Sequence, residues 1–290
     1  MYISLNEYLQ NEFGCKVYKL ALSAVTTCPN RDGTVGFGGC IFCGEEGSGS
    51  FASPITMNIT AQIELAKQKI KNKTNSNKYI AYFQSFTNTY APIDYLEKVF
   101  FEAISHPEVV VLSIATRPDC LPQDVLRLLG KLNKIKPVWV ELGLQTKHSE
   151  TAKYIRRGYP LSCYDTAVKN LKSIGVKVVT HMIIGLPFET EEMMVETAKY
   201  IGKSKADGIK LQLLHILKGT DLEKEYLQGK FQALTMEEYT EILKKCLGVL
   251  PPDIVVHRIT GDGDKKKLVA PLWSGDKKAV LIYINRELGK

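Results

Sequence analysis

What the chain lacks narrows the field first. It has no apolar run near 20 residues, the length a helix needs to cross a bilayer, so no membrane partner is expected. Its opening residues, MYISLNEYLQNEFG, show neither the basic start nor the apolar stretch of a secretory signal. A cytoplasmic location is the default expectation. Low-complexity linkers and short repeats are absent, which sets aside solenoids and strings of flexible modules. Charged residues make up 24% and hydrophobic residues 44%, a globular balance, so the 290 residues can bury one large core. Seven cysteines is an odd count, and no complete disulfide framework uses them all.

What is present begins with the stretch CPNRDGTVGFGGCIFC. It puts Cys28, Cys40 and Cys43 within sixteen positions threaded by four glycines. Cys15, Cys120, Cys163 and Cys246 stand alone and read as structural thiols, since free cysteine packs readily in cores. In a reducing compartment, clustered thiols hold metal or do redox chemistry. Three readings of the trio stay open on spacing alone. Zinc needs a fourth ligand, which His257 or another cysteine could supply. A redox pair, Cys40-x-x-Cys43, leaves Cys28 without a task. A [4Fe–4S] cluster uses three thiolates and leaves one iron open to a small ligand. The net charge of +7, from 38 basic and 31 acidic residues, favours an anionic partner, with basic clusters at 67–78 and 265–267.

Apolar runs at 20–26, 79–84, 109–115, 138–142, 176–184, 209–214 and 254–257 read as strands. They are rich in Val, Ile and Leu without clean polar alternation, as in a parallel sheet covered on both faces. Helical patterns fall between them. The first covers 60–71 with Thr60 as cap. Those at 92–104 and 122–132 open at Pro92 and Pro122, and 162–174, 190–203 and 235–247 open at Ser or Thr. Thr235 and Glu238 have capping-box spacing. Repeated strand–helix alternation predicts an α/β fold with a parallel sheet, best a closed or partial (β/α) barrel, with a flat doubly wound sheet as the alternative. One domain is expected: a barrel core of about six strands over 19–218, an N-terminal extension over 1–18 and a C-terminal extension over 219–290. The polar segments QSFTNT, TRPD, GLQT, GLP and HILKGTD each follow a predicted strand. Barrels gather their chemistry at that end.

The cysteine loop, with Phe42 just before Cys43, resembles the signature of the radical S-adenosylmethionine (SAM) superfamily. The commonest spacing there is C-x3-C-x2-C, whereas eleven residues separate Cys28 from Cys40 here. The segments YFQSFTNTYAP, ELGLQT, YIRRGY and HMIIGLPFET are similar to parts of the Elongator catalytic subunit and of oxygen-independent coproporphyrinogen oxidase. With VVHRITGD and LVAPLWS added, most of the chain resembles the YtqA/YhcC-like branch, whose MnmL-type members are associated with modification of the tRNA wobble uridine.

The resemblance implies a partial (β/α) barrel of radical SAM type, with SAM and a [4Fe–4S] cluster on Cys28, Cys40 and Cys43. It implies SAM contacts from Phe42 and Gly185 near the adenine, Gln84 and Ser85 at the amino group, and Gln145 at the ribose. Arg157, or its neighbour Arg156, is expected at the SAM carboxylate. Arg117 is expected at SAM or substrate, or in a salt bridge to Asp119 or Glu141. His181 stands where some relatives carry an acidic ribose contact. His215, His257 and Arg258, with Asp262, are candidates for the substrate side. Lys210 reads as structural or surface, Trp273 as a packing anchor, and Glu45 and Glu46 as loop surface. The implied reaction converts a carboxymethylaminomethyl group on carbon 5 of uridine 34, or of its 2-thio form, to aminomethyl. tRNA and an electron donor of flavodoxin or ferredoxin type are the implied partners. No separate RNA-binding module or acetyltransferase domain is visible, so acetyl transfer is not expected. The alternatives are a radical SAM enzyme acting on a small metabolite and a zinc-binding protein without enzymatic activity.

Overall fold

A computed structural model describes residues 2–45, 47, 52–73, 76–261 and 263–289. Its strands are β1 (Ile3–Ser4), β2 (Tyr18–Leu22), β3 (Tyr79–Phe83), β4 (Val109–Thr116), β5 (Val138–Gln145), β6 (Lys177–Ile184), β7 (Gly208–Leu213), β8 (Ile216–Leu217), β9 (Val255–Arg258) and β10 (Leu268–Ala270). Its α-helices are α1 (Leu5–Phe13), α2 (Ile59–Ile70), α3 (Ile93–Ser105), α4 (Gln123–Asn133), α5 (Ser149–Tyr154), α6 (Leu161–Ser173), α7 (Glu191–Lys203), α8 (Asp221–Leu227), α9 (Met236–Gly248) and α10 (Lys277–Glu287). Eight strands form one sheet in the order β2-β3-β4-β5-β6-β7-β9-β1, and every pairing is parallel. A separate antiparallel pair, β8 with β10, lies beyond the end of β7.

The architecture is an α/β half-barrel, curled rather than flat. Lys210 on β7 donates to the Tyr82 hydroxyl on β3 at 3.0 Å, although four strand spacings separate them. In a flat sheet that is about 19 Å, too far for the two side chains to meet. Lys19 on β2 likewise reaches Glu141 on β5 at 3.0 Å across three spacings. The doubly wound alternative is therefore excluded.

Strand alternation builds the two faces. Leu20 and Leu22, Ala81 and Phe83, Val140 and Leu142, Met182 and Ile184, and Leu211 and Leu213 point to the convex side and join the helices in one large core. The intervening residues face the concave interior. At its lower end, the N-terminal end of the strands, Ile80, Val111 and Trp139 pack against Leu9 of α1. Segment 1–18, expected as an extension, thus contributes a helix that plugs the barrel floor and an edge strand that pairs with β9. Ser4 caps that helix and Gly14, at φ +72°, closes it. The count of eight strands, against about six expected in the core, comes from this two-residue β1 and from β9, whose run at 254–257 was read as a strand but lay in the expected C-terminal extension. β1, at two residues, is too short to stand out as a periodic run.

Local chemistry explains smaller differences. The cap of α2 is Asn58, whose side chain accepts from the Ala61 amide; Thr60 bonds Glu102 of α3 instead. Pro92, Pro122 and Pro160 occupy the capping position just before their helices rather than the first helical residue. Thr190 caps α7, and Thr235 with Glu238 completes the capping box of α9. Trp273 packs on Tyr239 and donates its indole N–H to the Leu234 carbonyl at 3.0 Å, an anchor for the C-terminal segment.

Candidate active site

The loop carrying Cys28, Cys40 and Cys43 leaves the C-terminal end of β2 and folds onto the turn that follows α5. Its backbone closes on itself: the Arg31 amide donates to the Cys28 carbonyl at 2.8 Å, Gly39 to Asn30 at 2.7 Å, and Cys43 to Cys40 at 3.0 Å. Asn30, 4% exposed, donates its side-chain amide to the Arg156 carbonyl at 2.5 Å and to the Cys40 sulfur at 3.5 Å. Gly158, at φ +81°, lies beneath. A Cβ there would sit 2.8 Å from Val35 and 3.3 Å from Asn30, so the loop seats only on a glycine.

At Cys40 the electrostatics favour the thiolate. The Cys43 thiol, then Arg117, Asn30 and Arg31, draw Cys40 down to about 7 against the cost of its burial. Cys43 is pushed well up by its hydrogen bond to Cys40 and by burial, so Cys40 gives up its proton first. A tetrahedral zinc site with Zn–S near 2.3 Å would hold its sulfurs about 3.8 Å apart. Among the described residues no three candidate ligands that include a cysteine lie within 4.8 Å of one another. His257, one candidate for the fourth ligand a zinc site would need, lies elsewhere. The donor set is three soft sulfurs, spread wider than one zinc ion requires and held among cationic and amide donors. It fits a cluster bound at three corners.

Four of the five described non-glycine residues with positive φ surround this mouth. They are Phe86 (57°), Gln145 (64°), Arg156 (56°) and Phe188 (66°), each on a loop or strand end after β3, β5 or β6; the fifth is Lys205. Such conformations cost of order 1–2 kcal/mol each and collect where a site imposes them. Gln145 folds back over its own strand, and its Nε2 would lie 2.6 Å from a Cβ on Gly143. Along the upper interior Ala21, Gly143, His181, Ile183 and Gln212 are all partly accessible. The small members leave the cavity in which a ligand has room. Gln84 is half-buried at the end of β3 with its amide on the Leu22 carbonyl at 3.3 Å, and Ser85 beside it is 6% exposed. Phe42 packs on the small apolar cluster formed by Ile41, Ile155, Leu186 and Leu214. Gly185, at φ +90°, turns the chain at the end of β6, with the Leu234 side chain against it. His215, at the end of β7, is packed between Gly261 and Gly263.

Two expected ligands have other work. The Arg157 guanidinium, in a residue 2% exposed, donates to the backbone carbonyls of Leu144 (3.0 Å), Thr146 (2.6 Å) and Tyr159 (3.2 Å). It braces the turn after β5 from within through Nε and Nη1, with Cys40 among its electrostatic neighbours. Arg156 faces outward and pairs with Asp221 at 2.7 Å. Arg117 grips Asp119 through two bonds, at 2.9 and 2.6 Å, and donates to the Arg157 carbonyl at 2.9 Å. Burial and then Asp119 govern its charge, and the net effect keeps it protonated beside the cysteines. Of the alternatives for Arg117, the bridge to Asp119 is the one formed.

His257 and the 67–78 cluster lie away from the mouth. His257 is held against Trp139 (ring centres 5.2 Å apart) and Gly208, near the N-terminal ends of β5 and β7. That is the barrel floor, not the expected substrate side. Helix α2 runs back from the mouth, so the basic residues at its C-terminal end are carried to the floor. Lys67 is already paired with Glu64 and Glu108, and Lys78 donates to the Phe13 carbonyl. The 265–267 cluster is on the mouth side, where the Lys218 amide bonds the Lys267 carbonyl at 2.7 Å beside the β8–β10 pair. Glu46 and Asp262 lie outside the described residues.

Sequence reading missed the most unusual feature. Glu141, wholly buried, accepts from Lys19 (3.0 Å), Ser113 (2.9 Å), His181 (2.7 Å) and Lys210. Against the cost of burial, Lys19, Lys210 and His181 hold its carboxyl well below the usual carboxylate range. Burial and then Lys210 pull His181 down to about 4, so its imidazole is neutral at pH 7. Lys210 is 3% exposed, buried rather than on the surface, and its electrostatic neighbours include Arg258. A lone Glu inside VWVELGLQ was the available signal: a charge in an otherwise apolar strand needs partners.

A parallel half-barrel with a three-cysteine loop at its C-terminal mouth defines a class. The model of the radical SAM superfamily matches residues 26–201, and a radical SAM C-terminal domain matches 206–290. The chain belongs to the radical SAM superfamily, whose cofactors are a [4Fe–4S] cluster and SAM. It is 46% identical to YtqA of Bacillus subtilis over 99% of its own length and 89% of that protein. It is 36% identical to YhcC of Escherichia coli over 97% and 90%, respectively. Over 53% of the chain and 28% of the other protein, it is 30% identical to a tRNA uridine(34) acetyltransferase of Methanocaldococcus jannaschii. Among solved structures, Elp3 of Methanocaldococcus infernus has the same fold, with a TM-score of 0.70 at 21% identity, over 93% of this chain and 63% of that one.

Proposed function

We propose that the protein is a radical SAM enzyme that modifies the wobble uridine, position 34, of tRNA. The reaction converts carboxymethylaminomethyl(thio)uridine to aminomethyl(thio)uridine. The observation that carries the reading is the match between 53% of the chain and a protein named for action on tRNA uridine 34. Since only 28% of that protein is shared, the match supports the substrate and not acetyl transfer. Charge on the mouth side agrees with it. Arg156, Lys218 and the lysines at 265–267 stand on loops around the opening, where phosphates flanking an unstacked anticodon base would pass.

The bound cofactors supply reductive cleavage of the sulfonium and the hydrogen-abstracting power that follows. The chain's own residues do the rest. Cys28, Cys40 and Cys43 hold the cluster, and the Asn30 amide with Arg31 and Arg117 offsets negative charge on the sulfurs. Gln84, Ser85 and Gln145 present polar groups toward SAM. Arg157 keeps the strand end carrying Gln145 in its strained shape through the Leu144 and Thr146 carbonyls. The walls exclude water from the reacting carbon. A flavodoxin or ferredoxin type protein supplies the electron.

The test is anaerobic reconstitution with iron, sulfide, SAM and dithionite, against tRNA with and without the carboxymethylaminomethyl group. Release of 5′-deoxyadenosine only with the precursor tRNA is the expected result. Release that ignores tRNA, or that a small metabolite triggers instead, overturns the reading.

A further inference from the structure

The turn that follows β6 carries an unexpected residue at its corner. Leu186, Pro187, Phe188 and Glu189 form it, closed by the Glu189 amide on the Leu186 carbonyl at 3.2 Å. Proline in second place and a positive φ in third is the type II pattern, which calls for glycine at the third place. The chain puts phenylalanine there, at φ +66°, where a bulky side chain strains the backbone. Burial does not offset that strain, because Phe188 is 65% exposed. The ring is fixed all the same. It meets the Tyr154 ring edge to face, with centres 5.1 Å apart, and the Tyr154 hydroxyl is tied to Glu225 of α8. Leu186 is buried in the small apolar cluster that also holds Ile41 of the cysteine loop. On the other side, Glu189 accepts from the Thr146 hydroxyl at 2.5 Å, and Thr190 caps α7. An aromatic ring is thus held rigid and open to solvent at the rim of the mouth, at a cost the fold does not recover. On the same rim the exposed Arg156 and Lys224 share the one carboxylate of Asp221, at 2.7 and 2.8 Å. Exposed pairs of this kind are worth little and exchange readily for phosphates.

We infer that Phe188 is a stacking platform for a base that flanks the wobble uridine. The inference rests on the tRNA reading and deepens it by naming a contact outside the cavity. A uridine that enters the mouth must leave the stack of its neighbours, and the flanking base then bares an aromatic face. A rigid ring at the rim takes that face, while Arg156 and Lys224 meet the phosphates beside it. Because the ring is already held in place, little freedom is lost when the base lands on it. Stacking reads no hydrogen-bond pattern, so Phe188 tolerates different flanking bases and leaves the choice of the modified one to the cavity.

The experiment measures binding of an anticodon stem-loop RNA to the anaerobically reconstituted protein with SAM. Phe188→Gly is expected to weaken binding about 10-fold, the scale of one stacked base. Its melting temperature should stay close to wild type, because glycine suits the turn. The slope of log affinity against log salt should not change, since stacking releases no counterion. Phe188→Tyr should keep most of the affinity. A second readout needs no variant: 5-iodouridine placed directly before or directly after position 34 should crosslink to Phe188 on irradiation from one of the two places. Wild-type affinity in Phe188→Gly overturns the inference while leaving the tRNA reading intact, as does the absence of a Phe188 crosslink from both places. A loss of affinity matched by a fall in melting temperature also overturns it, since the ring would then be a structural prop. Normal RNA binding with slower reduction by a flavodoxin or ferredoxin type protein would assign the ring to that protein instead. Failure of the wild-type chain to bind the RNA sinks the tRNA reading itself, and the inference with it.

Discussion

Lys210 and Tyr82 sit four strands apart in the sheet and meet at 3.0 Å across its concave face. The contact shows that the sheet has curled far enough for opposite walls to touch. It also places Lys210 against Glu141, so one carboxylate ties β2, β4, β5, β6 and β7 together through Lys19, Ser113, His181 and Lys210. That network gives the interior a polar floor under the small-residue cavity of the mouth.

Removing the centre of the network is expected to be costly. Glu141→Gln leaves Lys210 buried beside a neutral group, and breaking a buried pair this way costs about 3–5 kcal/mol. Urea unfolding of the metal-free chain reads it directly. A loss below about 1 kcal/mol would show that Glu141 is not the compensating charge.

Acid should weaken the fold from near pH 6.5 downward. His181 is lowered to about 4 in the folded chain and lies near 6.5 when unfolded. Between those values the unfolded state binds the extra proton, so stability falls as pH falls. The His181 share is at most about 3.4 kcal/mol, from roughly 2.5 pH units at 1.36 kcal/mol each, and His257, which burial also pulls well below its usual value, acts in the same direction. Stability is then lost further as pH drops through the depressed Glu141 value. His181→Asn should flatten the upper part of this curve in urea titrations at pH 7, 6 and 5.

The adjacent arginines should behave oppositely. Arg157→Met removes donors from three backbone carbonyls and should cost at least 2–3 kcal/mol, because buried acceptors are left bare. Arg156→Ala breaks only an exposed pair with Asp221 and should cost less than about 1 kcal/mol. Melting temperatures of the two variants decide it, and equal shifts would refute the brace.

Gly158→Ala should spoil the seat of the cysteine loop while sparing the barrel. A methyl group there meets Val35 and Asn30, and its φ of +81° adds about 1–2 kcal/mol of strain. Iron and sulfide retained after anaerobic reconstitution should fall, with far-UV circular dichroism unchanged. Cys40→Ala should lose the cluster outright and likewise keep its fold. Wild-type iron content in that variant would remove Cys40 from the ligand set.

Salt dependence should map the RNA face. Replacing Lys265, Lys266 and Lys267 by Ala should reduce the slope of log affinity against log salt by about two units, from roughly 0.7 per phosphate contact to single strands. Replacing Lys69 and Lys71 on the opposite end should leave it unchanged. The reverse pattern would move the RNA to the barrel floor.

Much of this was legible along the chain because its signals are local. Strand runs such as those ending in Phe83 and Ile184 announce themselves by composition, and the Thr235–Glu238 box needs only three residues of separation. The cysteine trio is also a local pattern; its spacing left zinc, a redox pair and a cluster open, and the resemblance of its loop and of the later segments pointed to the cluster. That Arg157 rather than Arg156 turns inward agrees with the sequence expectation, but its grip on three backbone carbonyls could not be read from YIRRGY. That depends on Arg156 adopting φ 56° and sending its partner to the carbonyls of β5. His257 was misjudged because strand order along the chain does not tell which end of a strand a residue will line.

The sequence by itself determined an alternating α/β chain and three sulfurs on a loop after the first long strand. Periodicity and spacing are properties of neighbours, and neighbours are what a chain records. Only the tertiary structure decided that β1 closes beside β9, that α1 plugs the floor, and that Lys19, Glu141, His181 and Lys210 converge although they span nearly two hundred positions of chain. Their meeting comes from the curl of the sheet, a sum of small twists over many strands. A buried carboxylate then selected its partners by proximity across the barrel rather than along the chain.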